Sequence, residues 1–275
     1  MQLATRFAAR SPVLCSAVPL DDDQIRAVAP SIFAETPHGS RSERYGYVPT
    51  AVILNGLRRE GFEPFMVCQT RVRQDDRREY TKHMLRLRHS GRIADAEADE
   101  VILINSHDGT SSYQMLAGMM RFVCRNGLVC GDVIEDVRVA HNGKASDQVI
   151  EGAHRVLDGF DLVRERRDGM QAVTLSDAEA SLMAESALAL KYDTETKPAP
   201  VTALQVLAPR RASDVGRDLW TTFNRLQENL TQGGLPGRSA NGRRLQTRAV
   251  TGVDQSVKLN RALWMLAEGM KQLKA

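Results

Sequence analysis

FEPFMVCQTRVR at residues 62–73 and TKHMLRLRH at residues 81–89 form the stretch on which the fold reading turns. Both segments follow the two-residue period of a strand, in which successive side chains point to opposite faces. In the first, Met66, Cys68, Thr70 and Val72 fall on one face, and Gln69, Arg71 and Arg73 on the other. In the second, Leu85 and Leu87 point one way, and Lys82, Met84, Arg86 and Arg88 the other. Joined as a hairpin through residues 74–80, the pair is expected to carry Arg71, Arg73, Arg86 and Arg88 on one side of one sheet. Like charges opposite each other in a sheet repel. Such a face implies either an anion lying on it or pairing with the acids of its own connection, Asp75, Asp76 and Glu79.

Working outward, residues 21–34 read as a short helix with Asp21, Asp22 and Asp23 at its positive end. Pro49 opens a second helix that carries Val52, Ile53 and Leu57 and stops at Gly61. EVILIN at residues 100–105 is a third strand, closed by the turn-forming His107-Asp108-Gly109. Residues 111–125 are ambiguous: they allow a strand, yet QMLAGMMRF suits a helix nearly as well. Asn126-Gly127 is a type I′ hairpin signal that sets FVCR and LVCG on adjacent strands, and residues 133–140 add another strand. After Asn142-Gly143 the period changes to 3.6. Ser146 is read as the cap of a helix bearing Val149, Ile150, Ala153, Val156, Leu157, Phe160 and Val163 on one face. Ser176 and Glu179 form a capping box for the next helix, residues 193–200 are a linker, and residues 220–230 and 256–273 are the last helices. The predicted class is α+β: an antiparallel β-meander flanked by helices, with a helical C-terminal third. Residues 1–195 form the core with an N-terminal arm, and residues 196–275 a helical region with a basic Gly/Arg loop, either separate or part of the same domain.

At 275 residues, 42% hydrophobic and 26% charged, the chain has the composition of a globular protein. Aromatics at 5% leave few rings for extensive base stacking. A net charge of +3 does not by itself argue for nucleic acid. The cations are 30 Arg and 7 Lys, and the planar guanidinium suits phosphate and carboxylate, although codon bias in a GC-rich genome gives the same skew. A second basic element follows the linker: residues 229–253 contain no acid but hold Arg238, Arg243, Arg244 and Arg248. Cys15, Cys68, Cys124 and Cys130 form no C-x-x-C pair and read as free thiols of a reducing cytoplasm. No apolar run approaches the roughly 20 residues that span a bilayer, so the expectation is a cytoplasmic protein with no membrane partner.

The residues that carry chemistry elsewhere do not assemble here by spacing. SHDGTSS at residues 106–112 invites a hydrolase built on His107 and Asp108, but there is no G-x-S-x-G elbow, and a turn explains the string more simply. His83 and His89 read as strand-end residues. No metal-ligand spacing, phosphate loop or dinucleotide fingerprint is present. No catalytic residue, metal or cofactor is assigned.

Several longer strings carry a resemblance. RYGYVPTAVILNGLRREGFEPF, REYTKHMLRLRH, INSHDGTSSYQMLAGMMRFVCRNGLVCGD, DLWTTFNRLQENL and LNRALW together resemble an uncharacterised phage- and plasmid-borne bacterial family, over nearly the whole chain. That resemblance implies a mobile-element setting in a bacterial cytoplasm and no assigned activity. A looser likeness of architecture, helix then β-meander then helix, is to single-strand annealing recombination proteins, which form rings or filaments and hold one DNA strand by its phosphates. The likeness implies single-stranded DNA and further copies of the chain as partners. It points to Arg71, Arg73, Lys82, Arg86 and Arg88, joined by Arg238, Arg243, Arg244 and Arg248 of the basic loop, as nucleic-acid-binding residues. The extra strands and helical C-terminal third depart from the minimal core of those proteins. The rival from another class is a protein-binding module that inhibits a host defence or stress system, which the near-neutral charge suits.

Overall fold

A computed structural model describes residues 13–40, 46–72, 75–92, 97–121, 126–130, 136–142, 144–192, 194 and 197–274. The chain divides into two compact units, one of residues 1–127, 134–160 and 251–253, the other of residues 128–133, 161–250 and 254–275.

The first unit is built on an antiparallel sheet. In chain order its elements are β1 (Val13–Cys15), α1 (Asp22–Val28), α2 (Thr50–Arg59), β2 (Phe62–Gln69), β3 (His83–His89), β4 (Glu97–Asn105), β5 (Tyr113–Arg121), β6 (Asn126–Val129), β7 (Val137–Val139) and α3 (Ala145–Asp158). The strands lie in the order β1-β2-β3-β4-β5-β6, with β7 also paired to β5. From β1 to β6, strands adjacent in sequence are thus adjacent in space, which is the expected meander.

Local chemistry sets the ends of these elements. Asp21 and Gln24 close a capping box at the start of α1. The helix stops at Val28, short of the expected Ala34, because the proline at Pro30 lacks an N–H and disfavours helix in the residue before it; a 3-10 turn takes over at Pro30–Phe33. Pro49 occupies the N-cap of α2, and Gly61, at φ 83°, supplies the left-handed residue that lets the chain turn into β2. The ambiguous segment is a strand: Tyr113–Arg121 pairs with β4 from Glu97↔Arg121 to Ile104↔Gln114, and this ladder overrides its helix-like spacing. Asn126-Gly127 opens β6 instead of forming a turn apex, and residues 122–125 lie outside the described residues. α3 begins two residues early, with Lys144 at the N-cap and no side-chain cap bond, so Ser146 sits inside the first turn.

One face of the sheet packs on helices. Val67, Leu85, Leu103 and Met115 follow each other across the ladders, and each is buried. α3 lies so close to this face that a Cβ on Gly152 would stand 2.4 Å from Met115 Cε and 2.7 Å from Val137 Cγ1. Each fully buried aliphatic side chain stabilises the unit by about 1.5–3 kcal/mol.

The second unit holds α4 (Phe160–Gln171), α5 (Asp177–Lys191), α6 (Ala203–Leu207), α7 (Leu219–Gln232), β8 (Pro236–Arg238), β9 (Arg244–Gln246) and α8 (Val253–Leu273). The expected capping box is present at α5: Ser176 accepts from the Glu179 backbone, and Glu179 accepts from the Ser176 backbone. Trp220 and Trp264 meet edge to face at 6.2 Å, with Phe223 stacked on Trp220 at 5.4 Å. α7 is buried on most sides, and several of its polar groups are bonded within the unit. Asn229 Nδ2 donates to the carbonyls of Val206 and Ala208, and Arg211 grips both Glu228 and Asp214.

Cys15, Cys68 and Cys130 are free thiols, and burial pushes the Cys68 thiol up to about 12; Cys124 lies outside the described residues. Among the described residues, no helix is long and apolar enough to cross a membrane.

Candidate nucleic-acid interface

The two basic elements of the sequence belong to different compact units. In the first unit, the strand register decides what the arginines do. β2 and β3 pair Met66 with Arg86 and Cys68 with Met84, while Gln69 pairs with His83. The Gln69 alternation therefore belongs to the face opposite Arg86, and β2 ends before Arg71. The expected single face of four arginines does not form. Arg71 is exposed beyond the strand, Lys82 is half-buried just before β3, and Arg73 lies outside the described residues.

Arg86 and Arg88 are 5% and 3% exposed. Both converge on Glu100 of β4: Arg86 Nε donates to Oε2 at 2.5 Å and Arg88 Nε to Oε1 at 2.9 Å. The Arg88 guanidinium also lies over the Phe65 ring, 4.2 Å from its centroid. Room for Arg86 comes from Gly118, the cross-strand neighbour of Glu100; a Cβ there would stand 2.7 Å from an Arg86 terminal nitrogen. One carboxylate of β4 thus offsets two like charges that alternation places on one face of β3.

The second basic element is built differently. β8 and β9 form a hairpin in which Arg238 and Arg244 are direct cross-strand partners. Gly242, at φ 75°, allows the tight reversal between them. The base is fastened by Gly234 N to Thr247 O at 2.8 Å and Val250 N to Thr231 O at 2.8 Å, and one edge by Arg238 N to Pro200 O at 2.9 Å. A Cβ on Gly233 would fall 2.6 Å from the Arg248 carbonyl carbon, so only glycine permits this closure. Arg238, Arg243, Arg244 and Arg248 are all exposed. Arg238 donates to the Gly242 carbonyl at 3.2 Å, and no described carboxylate pairs with any of the four. Two clefts flank the hairpin, of about 630 and about 650 Å³, and both are lined by Pro200 and Leu245.

The His107 turn does not assemble a nucleophile, base and acid. Asp108 Oδ1 accepts from the backbone and hydroxyl of Thr110, as a turn residue does, and Ser111 Oγ donates to the Ser112 carbonyl. His107 is fully buried, and its Nε2 lies 3.1 Å from Thr50 Oγ1. It belongs to an interior network that the sequence reading missed. Thr50 Oγ1 also meets His83 Nε2 at 3.0 Å and accepts from Asn105 Nδ2 at 3.0 Å. Ser31 Oγ lies 2.8 Å from His83 Nδ1 and donates to Gln69 Oε1 at 2.7 Å.

One proton assignment satisfies these contacts. Ser31 spends its proton on Gln69, so His83 carries its proton on Nδ1, facing Ser31 and the Thr81 carbonyl. His83 Nε2 then accepts the Thr50 hydroxyl, and Thr50 accepts from His107 Nε2–H, which leaves His107 Nδ1 as a bare acceptor with no partner among the described residues. Burial pushes His83 down to about 3 and His107 to about 2, so both are neutral. With every member enclosed, the network holds α2 to the sheet and presents no group to a substrate. Among the described residues no group of three His, Cys, Asp or Glu is arranged to hold a metal.

Comparison with known proteins gives relatives without assigned activities. A family described as a domain of unknown function (DUF932) matches residues 37–264. The chain is 53% identical over 269 residues to the UPF0380 protein YafZ of Escherichia coli (strain K12), covering 98% of this chain and 97% of the relative. It is also 53% identical over 267 residues to the UPF0380 protein YfjQ of the same strain, with 97% of each covered. No solved structure gives a significant match.

Proposed function

We propose that this chain, which belongs to the DUF932 family, binds single-stranded nucleic acid, single-stranded DNA foremost, by laying the phosphate backbone across the β8–β9 hairpin. The observation that carries this reading is the set of four exposed arginines, on and just after a hairpin fastened at its base, with no carboxylate partner among the described residues. Two arginines held as cross-strand partners repel, and an anion between them removes that cost. A guanidinium fork suits phosphate oxygens. Arg86 and Arg88 are engaged by Glu100, so the proposed contact set is Arg238, Arg243, Arg244 and Arg248, with Arg71 as the exposed member of the expected set in the first unit. Annealing of two strands by an oligomer, in a mobile-element setting, belongs to the same proposal.

The test is fluorescence anisotropy with a labelled single-stranded oligonucleotide across a salt series. Each phosphate contact contributes about −0.7 to the slope of log K against log salt for a single strand. Replacing all four hairpin arginines by alanine is therefore expected to flatten the slope by up to about 3, while circular dichroism stays unchanged. Absence of binding at low salt, or an unchanged slope in the variant, overturns the proposal.

A further inference from the structure

Beside the hairpin lies the cleft of about 630 Å³, within the roughly 300–1,000 Å³ typical of small-ligand sites. Its wall chemistry is unusual for a protein with nearly balanced charge. Lys191, Arg248 and Lys258 all line it, and none of the described lining residues is acidic. Tyr192 is its one aromatic residue, Gln255 brings an amide, and Leu259 belongs to its apolar wall. Lys191 is fixed in place: its ammonium donates to the carbonyls of Leu230 at 2.5 Å and Arg248 at 3.1 Å, which ties the end of α5 to α7 and to the chain leaving the hairpin. Arg248 is common to the cleft and the basic hairpin element, so a strand lying on the hairpin passes the mouth of the cleft.

Cations with no acid beside them among the described lining residues favour an anion. A half-buried tyrosine beside apolar walls selects a flat, partly apolar ring, and a glutamine amide offers both a donor and an acceptor to a base edge. A nucleotide carries all three features in one unit. We infer that this cleft takes one nucleotide, its base against Tyr192 and Gln255 and its phosphate among Lys191, Arg248 and Lys258. The inference rests on the nucleic-acid reading of the hairpin when the nucleotide comes from a strand; a free mononucleotide presents the same chemistry. It also gives a physical reason for a single strand: a base that enters the cleft must be unpaired and unstacked.

Two measurements separate the sources. An oligonucleotide carrying 5-iodouracil is irradiated on the full chain and the cross-linked peptide is identified by mass spectrometry, and dTMP alone is titrated by calorimetry. Cross-linking at Tyr192 is expected. Tyr192→Leu is expected to weaken oligonucleotide binding about tenfold at an unchanged salt slope, because stacking and not charge is removed. Lys258→Ala is expected to flatten the slope by about 0.7. Normal oligonucleotide binding that ignores Tyr192→Leu and cross-links elsewhere overturns the cleft and leaves the hairpin standing. No oligonucleotide binding, with dTMP binding that Tyr192→Leu abolishes, supports the cleft and overturns the hairpin. Binding of neither overturns both.

Discussion

Acidification from pH 7 to pH 5 is expected to loosen the first unit by about 4 kcal/mol, through His83 and His107. Both imidazoles titrate near 6.5 when the chain is unfolded, but burial holds them near 3 and near 2 in the folded protein. The unfolded chain therefore takes up the protons first. The stability the neutral rings confer is fully present above pH 6.5 and is lost as the pH falls toward the folded values. At pH 5 an unfolded histidine has gained about 2 kcal/mol of protonation free energy relative to pH 7, and the folded one almost none, so the pair gives about 4. His141, also held low by burial, acts in the same direction. The loss is large against the 5–15 kcal/mol of a typical fold. The assay is hydrogen exchange of the β3 and β4 amides over this pH range, corrected for intrinsic exchange rates. Both tryptophans, Trp220 and Trp264, lie in the second unit, so their fluorescence is an internal control that should not follow the same curve. Nitrogen-detected NMR of the rings should find His83 protonated on Nδ1. A native His83 resonance that titrates near pH 6.5, or exchange protection in β3 that stays flat from pH 7 to pH 5, refutes the network as assigned.

Glu100→Ala is expected to cost on the order of 3–5 kcal/mol in denaturant unfolding, because it strips the shared carboxylate from two buried guanidinium groups; Arg86→Ala should cost less, since Arg88 keeps Glu100. Equal losses would refute the sharing. Gly152→Ala should cost about 1–3 kcal/mol in the same assay, because its new methyl meets Met115 and Val137 of the sheet. A neutral result would mean that α3 stands off further than drawn here.

Elements with punctuation at both ends could be read from the sequence. α2 lies between Pro49 and Gly61, and α5 begins at the Ser176–Glu179 box. The arginine pattern was legible only within a strand. Alternation assigns faces along one strand, whereas the offset between two strands depends on pairing, and here the irregularity between Pro64 and Met66 sets it. Both Met66 and Val67 are apolar, so no polar side announced which of them would share a face with Arg86. Glu100 looked like the edge of a strand because its partners are 14 and 12 residues away and meet it only once β3 and β4 are in register. The Thr50 network was illegible for the same reason, with Ser31, Thr50, His83 and His107 converging from four separate segments. The hairpin arginines were legible because an acid-free stretch depends on no tertiary pairing.

The excess of arginine over lysine therefore serves two physical purposes. In the sheet, a planar fork lets Arg86 and Arg88 share one carboxylate from two sides, and one of them also covers an aromatic ring. On the hairpin, the same group stands exposed with no internal acid. A net charge of +3 conceals this division, because internally paired charges and exposed ones enter the sum alike. Beyond the Debye length of about 8 Å at physiological salt, a strand meets a nearly neutral protein. A three-residue strand spans only about 10 Å, so under the proposed function the four arginines of the basic element would act on the few phosphates directly against them. Under that proposal, affinity would come from local contacts and not from long-range steering. That is why the salt slope of the hairpin variant, and not the total charge of the chain, bears on the function.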